Sequence, residues 1–310
     1  MPLLNESASG VYVIAVTPFR EDGSLDLAST DSMVDFYLEK GATGLTVLGM
    51  MGEAPKLTAE ESRVFVRRVL TRVDGRVPVV VGVSAPGLAP MEELTKSVMD
   101  AGASGVMVAP PSTLRTDDQI HSYFGMVAET LGSVPFVLQD FPQATGVQIS
   151  PQVILRVVKD FPTCVMLKHE DWPGLSKISA LRVASDNGEG RRISILVGNG
   201  GIFLPEELGR GADGAMTGFA YPEMMVDVWK AHAAGQFDHA RDLFDAYLPL
   251  ARYEQQPGPG LAIRKYILAR RGAIASGTLR KPGSRLLSAD IAEVELLIER
   301  QTRRLGGMAR

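Results

Sequence analysis

The stretch Cys164-Val165-Met166-Leu167-Lys168-His169-Glu170 reads as a short apolar strand with a lysine near its carboxyl end. A lone ammonium there is costly unless something pairs with it or uses it. Strand alternation puts Cys164, Met166 and Lys168 on one face and Val165, Leu167 and His169 on the other. If the first face is the interior of a barrel, Lys168 points to its mouth. Desolvation there lowers a lysine pKa, which raises the fraction of free amine able to attack a carbonyl and form a Schiff base. The competing reading is a lysine that snorkels to solvent or pairs with Glu170 or Asp140.

Such a strand needs a scaffold, and one αβ joint recurs along the chain. Gly41-Ala42-Thr43-Gly44, Gly102-Ala103-Ser104-Gly105 and Gly211-Ala212-Asp213-Gly214 each lead into an apolar run, the first glycine capping a helix and the second turning the chain into a strand. Around these joints the pattern predicts strands starting at Gly10 and spanning Val77–Ser84, Val134–Phe141, Cys164–Glu170 and Ile193–Asn199, alternating with amphipathic helices. Eight strands, each followed by a helix and apolar on both faces, argue for a parallel sheet closed into a (β/α)8 TIM barrel over residues 1–235. A doubly wound open sheet is the alternative, but no strand leads into a G-x-G-x-x-G turn. Residues 236–310 continue as a helical extension packed on the barrel, broken at Gln256-Pro257-Gly258-Pro259-Gly260 and Lys281-Pro282-Gly283.

In a barrel of this kind the chemistry gathers at the carboxyl ends of the strands. Those ends carry Thr17, Gly49-Met50-Met51-Gly52-Glu53, Ser84, Pro110-Pro111-Ser112-Thr113, Gln139-Asp140, Lys168-His169-Glu170, Gly198-Asn199-Gly200-Gly201 and Thr217-Gly218. Only the sixth offers a nucleophilic amine. The net charge of −4 and scattered cations give no basic patch for nucleic acid, so the expected partner is a small molecule. No leader pattern or bilayer-length apolar run is present, which predicts a cytoplasmic protein without a membrane partner. The four histidines and the single Cys164 show no metal-ligand spacing, so neither metal nor cofactor is expected.

The order and spacing of GVYVIAVTPFREDG, GLTVLGMMGEAPKLTAEE, GRVPVVVGVS, AGASGVMVAPP and the lysine strand resemble the dihydrodipicolinate synthase and N-acetylneuraminate lyase family of class I, Schiff-base aldolases. That resemblance implies a (β/α)8 barrel, a homo-oligomer (tetramer or dimer), and Lys168 as the imine-forming lysine. It also implies departures. The hydroxyl pair that helps hold a keto acid's carboxylate is Met50-Met51 here, the proton-shuttling tyrosine is Gln139, a tyrosine after Pro-Pro is Ser112 or Thr113, and the arginine of the biosynthetic synthases is Ala144. Leu138-Gln139-Asp140-Phe141-Pro142, Lys168-x-Glu170, Gly214–Gly218, Tyr247–Leu250 and Glu254 look instead like the branch acting on 2-keto-3-deoxy sugar acids. By that analogy Lys168 is catalytic with Asp140 or Glu170 moving protons. Gly49, Met50, Met51, Gly52, Gln139, Gly198, Asn199, Thr217 and Gly218 surround the substrate. The expectation is a lyase acting on pyruvate or a 2-keto-3-deoxy sugar acid, with 4-hydroxy-tetrahydrodipicolinate synthase and a non-catalytic keto-acid binder as rivals. A phosphosugar enzyme using the glycines at 198–201 and 211–214 is a further rival, but those glycines read first as turn-formers.

Overall fold

The structure is a computed structural model that describes residues 2–172 and 174–308; the last two residues of the expected tail lie outside it. Eight parallel strands, β1 (Gly10–Ile14), β2 (Gly44–Val47), β3 (Val79–Gly82), β4 (Gly105–Val108), β5 (Phe136–Asp140), β6 (Cys164–His169), β7 (Ser194–Val197) and β8 (Gly214–Ala215), close in sequence order into one barrel. The helices between them are α1 (Leu27–Glu39), α2 (Ala59–Val73), α3 (Leu88–Asp100), α4 (Asp117–Leu131), the single turn α5 (Pro142–Thr145), α6 (Pro151–Asp160), α7 (Leu175–Asp186) and α8 (Leu204–Gly209). After β8 come α9 (Pro222–Ala233), α10 (Phe237–Glu254), α11 (Gly260–Arg270) and α12 (Ser288–Met308), with α10 packed against α8, α9, α11 and α12. No described helix is long and apolar enough to cross a membrane.

Two apolar layers hold the fold. The strand faces turned outward meet the helices in a large layer that includes Val11, Val81, Leu138 and Leu167, while Tyr12, Ile14, Val80, Met107, Val137, Met166, Leu196 and Met216 fill the barrel interior. The helix starts are locally encoded: Thr58 and Thr116 each cap a helix in a reciprocal pair with Glu61 and Gln119 three residues on.

The face assigned to Cys164 needs correction. The pairing of β5 with β6 runs Phe136 to Cys164 and then Val137 to Met166, so β6 carries one extra residue at Val165. The bulge turns Cys164 outward into the helix-facing layer and leaves Val165, Met166 and Lys168 with the interior. Burial pushes the Cys164 thiol up to about 12, so it is an inert core residue.

Buried charges tie the tail to the barrel. Lys265 of α11 is fully buried, its Nζ lying 2.8 Å from Glu53 Oε1 and 2.7 Å from the Thr278 carbonyl. Burial pulls the lysine below its ordinary value, with Glu53 opposing that shift. Glu53 Oε2 also lies 2.9 Å from Lys56 Nζ and accepts the Arg280 N–H at 3.1 Å, so removing Lys265 leaves the carboxylate one donor short rather than alone. Lys265→Met is expected to destabilise the protein by about 1–3 kcal/mol in denaturant unfolding.

One buried carboxyl lies outside these pairs. Glu207 of α8 is buried, its Oε2 has no partner among the described residues, and burial with the neighbouring Glu206 pushes it up to about 8. The folded state therefore keeps a proton that the unfolded chain releases in the ordinary carboxyl range. The group's stabilising contribution is full below that range and is lost as pH rises through the folded value. Between about pH 5 and about pH 9 the melting temperature of Glu207→Gln should fall less than that of the unaltered protein. Parallel curves would contradict the assignment.

Candidate active site

Side chains directed inward at the carboxyl ends of β5 and β6 meet across one rung of the sheet, where Gln139 pairs in register with Lys168. Lys168 is 4% exposed and its Nζ lies 3.0 Å from Glu170 Oε2. Gln139 Nε2 donates to the same oxygen at 2.7 Å, and Asn199 Nδ2 reaches the Glu170 carbonyl at 3.3 Å. Amine, carboxylate and amide thus form one short chain of contacts. The amine does not lie alone among apolar groups, as a simple desolvation picture would have it; it is ion-paired. Beside the pair lies a cavity of about 80 Å³ bordered by Lys168, Glu170, Gln139, Met50, Met51 and Thr217, among others. A carboxylate 3 Å from a buried amine is positioned to take the proton that the amine must lose before it attacks a carbonyl.

Asp140 is set apart from this group, which corrects its expected role. Successive strand residues point to opposite faces, so Gln139 inward means Asp140 outward. Asp140 Oδ2 lies 2.7 Å from Lys177 Nζ and 3.4 Å from His169 Nδ1, with Lys177 also 2.8 Å from Asp171. This is a buried charge cluster between barrel and helices, behind the strand that carries Lys168.

The turn after β2 also differs from expectation. Met50 and Met51 border the cavity, but Gly49 and Gly52 shape the turn without lining it. The N–H groups of Gly52 and Glu53 donate to the carbonyls of Gly49 and Met50 at 3.0 Å each, so they close the turn rather than face an anion. Thr17 pins it to β1 by donating to the Gly52 carbonyl at 2.6 Å. Thr217 Oγ1 accepts the Gly200 N–H at 2.8 Å and so holds the loop after β7.

Several glycines act by making room. A Cβ on Gly198 would fall 2.0 Å from Glu170 Cγ, one on Gly200 2.1 Å from Gln255 Nε2, and one on Gly218 2.3 Å from Arg264 Nη1. Gly198, Gly200 and Gly218 are therefore clearances for three polar side chains.

Two of those side chains come from the tail and were not singled out in the sequence. Gln255, just past α10, and Arg264, on α11, both border the cavity. Arg264 is 2% exposed, its Nε donates to Glu254 Oε1 at 2.6 Å, and its Nη1 has no partner among the described residues. Glu254 is itself fixed, its Oε2 accepting the Ala220 N–H at 3.0 Å, and burial raises its pKa against the pull of Arg264. A signal did exist: in Leu261-Ala262-Ile263-Arg264-Lys265-Tyr266-Ile267 two adjacent cations interrupt a helix that is apolar on all sides, so neither has a polar face to occupy.

Residues 7–301 match the Dihydrodipicolinate synthetase family. The chain belongs to that family. Among its relatives, L-2-keto-3-deoxyarabonate dehydratase of Azospirillum brasilense is 31% identical over 278 residues, covering 88% of each chain. The 4-hydroxy-tetrahydrodipicolinate synthase of Persephonella marina is 30% identical and covers 78% of this chain and 80% of its own. A crystal structure of dihydrodipicolinate synthase from Rhodopseudomonas palustris superposes with a TM-score of 0.95 at 52% identity, covering 97% of this chain and 100% of that one. The family's members are metal-independent class I lyases and dehydratases, and this chain is a Schiff-base lyase of that group.

Gly198→Ala tests the arrangement. The added methyl must displace Glu170, and a misplacement of about 1 Å can cost roughly 100-fold in rate. Imine formation at Lys168, followed by borohydride trapping, should slow by roughly 10- to 100-fold at a temperature where circular dichroism shows the variant still folded. An unchanged rate would show that the position of Glu170 is immaterial.

Proposed function

We propose that Lys168 forms an imine with a 2-keto-3-deoxy sugar acid and that the protein removes water from it. The carrying observation is the Lys168–Glu170–Gln139 chain of contacts beside a small cavity. Glu170 takes a proton from Nζ, the neutral amine adds to the C2 carbonyl, and Glu170 returns that proton to the carbinolamine hydroxyl, which leaves as water to give the protonated imine and a free carboxylate. The protonated imine acidifies C3, and Glu170 receives the C3 proton as the enamine forms. The enamine then expels the C4 hydroxyl, which takes up that proton and departs as water. Hydrolysis of the remaining unsaturated imine consumes one water and frees Lys168, so the net change is loss of one water across C3 and C4.

Support for dehydration over condensation comes from what borders the cavity. Gln139 is an amide and cannot act as a general acid near neutral pH, so it suits the binding of a hydroxyl rather than the relay of a proton between two substrates. Gln139, Asn199 and Glu170 together supply donors and acceptors of the kind a polyol chain needs. The family analogy extends this reading to a cytoplasmic homo-oligomer.

The test is incubation with pyruvate, with pyruvate plus aspartate semialdehyde, and with a panel of 3-deoxy-2-keto sugar acids. Borohydride reduction and intact mass report the imine, and product analysis reports water loss or condensation. A single adduct on Lys168 and water loss from a sugar acid are expected, both abolished in a folded Lys168→Ala variant. Condensation without dehydration would favour the synthase. No adduct with any keto acid would leave the non-catalytic binder.

A further inference from the structure

An arginine whose outer nitrogens are buried needs an acceptor, and the acceptor present satisfies only part of it. Glu254 Oε1 takes the Arg264 Nε–H at 2.6 Å, while Nη1, beside the cavity that holds Lys168, has no partner among the described residues. An unmatched guanidinium N–H at a buried position costs free energy that an anionic ligand recovers. Gln255 Nε2 borders the same cavity and likewise lacks a partner. Two donors from the tail therefore converge on one small space.

Their position in the barrel indicates what they receive. Gly218, against which Arg264 rests, follows β8, and a Cβ there would lie 3.0 Å from the Ile14 carbonyl of β1. The turn carrying Met50 and Met51 follows β2, on the other side of β1. Arg264 thus borders the same cavity as Met50 and Met51, where the hydroxyls are missing. The carboxylate Glu170 and the amides Gln139 and Asn199 belong to the ends of β5, β6 and β7. Arg264 therefore brings a guanidinium to the β8 and β1 side of the cavity, while the β5 to β7 side holds the ion-paired Lys168 and Glu170 with the amides Gln139 and Asn199.

We propose that Arg264, oriented by Glu254 and assisted by Gln255, binds the C1 carboxylate of the 2-keto acid in place of the hydroxyls absent from Met50-Met51. This deepens the lysine-imine reading and rests on it for the identity of the ligand as a keto acid. The arrangement directs the rest of the substrate towards Gln139, Glu170 and Asn199. It selects 2-keto acids whose remote carbons carry hydroxyls, because a second carboxylate would meet Glu170.

Half-saturation of borohydride trapping by pyruvate is compared with that by methyl pyruvate, which keeps the ketone and lacks the anion. Arg264→Gln is expected to raise the pyruvate half-saturation by about 10- to 100-fold, the loss of one charge-assisted contact, and to leave methyl pyruvate nearly unchanged. Because a lone Glu254 could unfold the single variant, the double variant Glu254→Gln, Arg264→Met removes both buried charges and should show the same selective loss. A second arm measures pyruvate binding by NMR in Lys168→Ala, where no imine can form; adding Arg264→Gln should abolish it. This arm separates the two readings: unaltered protein that traps no keto acid defeats the imine, whereas Arg264-dependent pyruvate binding in Lys168→Ala still supports the carboxylate site. Wild-type pyruvate half-saturation in a folded Arg264→Gln or double variant overturns the proposal, as does an equal loss for pyruvate and methyl pyruvate.

Discussion

Charge buried at the mouth of a closed barrel must be matched locally, and this constraint organises the upper half of the molecule. Lys168 faces Glu170, Arg264 faces Glu254, Lys265 faces Glu53 and Lys177 faces Asp140, every one of these side chains being 8% exposed or less. Isolated, each ion would carry a desolvation cost of several kcal/mol, so each pair stands or falls together. The pairs differ in what they leave over. Lys177 is bound by Asp140, Asp171 and the Ile149 carbonyl, and so has the partners of a structural cation. Arg264 retains an unmatched nitrogen beside a cavity, and Lys168 has a cavity beside its partner. The latter two arrangements border one shared cavity and are placed to serve a ligand there.

The helical tail is consequently part of the site. Helix α11 presents two consecutive cations to opposite tasks: Arg264 reaches the cavity, while Lys265 grips Glu53 at the turn after β2 and the segment leading to Arg280. The Lys265 contact fixes the helix against the barrel and with it the reach of Arg264. Glu254, from the end of α10, completes the grip by joining Arg264 to the backbone after β8.

Most of the architecture was legible because it is locally encoded. The glycine joints before β2, β4 and β8, the Thr58 and Thr116 caps and the apolar strands announce their own conformations within a few residues. Lys168, Glu170 and Gln139 were legible for the same reason, lying at strand ends with alternation to orient them. Asp140 departs from its expected role although alternation alone separates it from Gln139. Cys164 departs from its expected face because a bulge at Val165 resets the alternation, and no local composition marks it. Arg264 was missed because its function depends on where α11 lands after nearly the whole chain has folded, a non-local fact visible in sequence only as an unexplained pair of cations in an apolar helix.

The contact between Gly218 and Arg264 makes two distant positions reciprocal in size. A loop residue without a side chain, just after β8, admits a long one from the tail, and a Cβ at 218 would occupy the space that Nη1 fills. A side chain at 218 would also press on the Ile14 carbonyl at 3.0 Å, so the reach of Arg264 is bounded by backbone on β1 as well as by its own length. The polarity of this wall of the cavity is thereby set from the far end of the chain, without any change in the lysine strand.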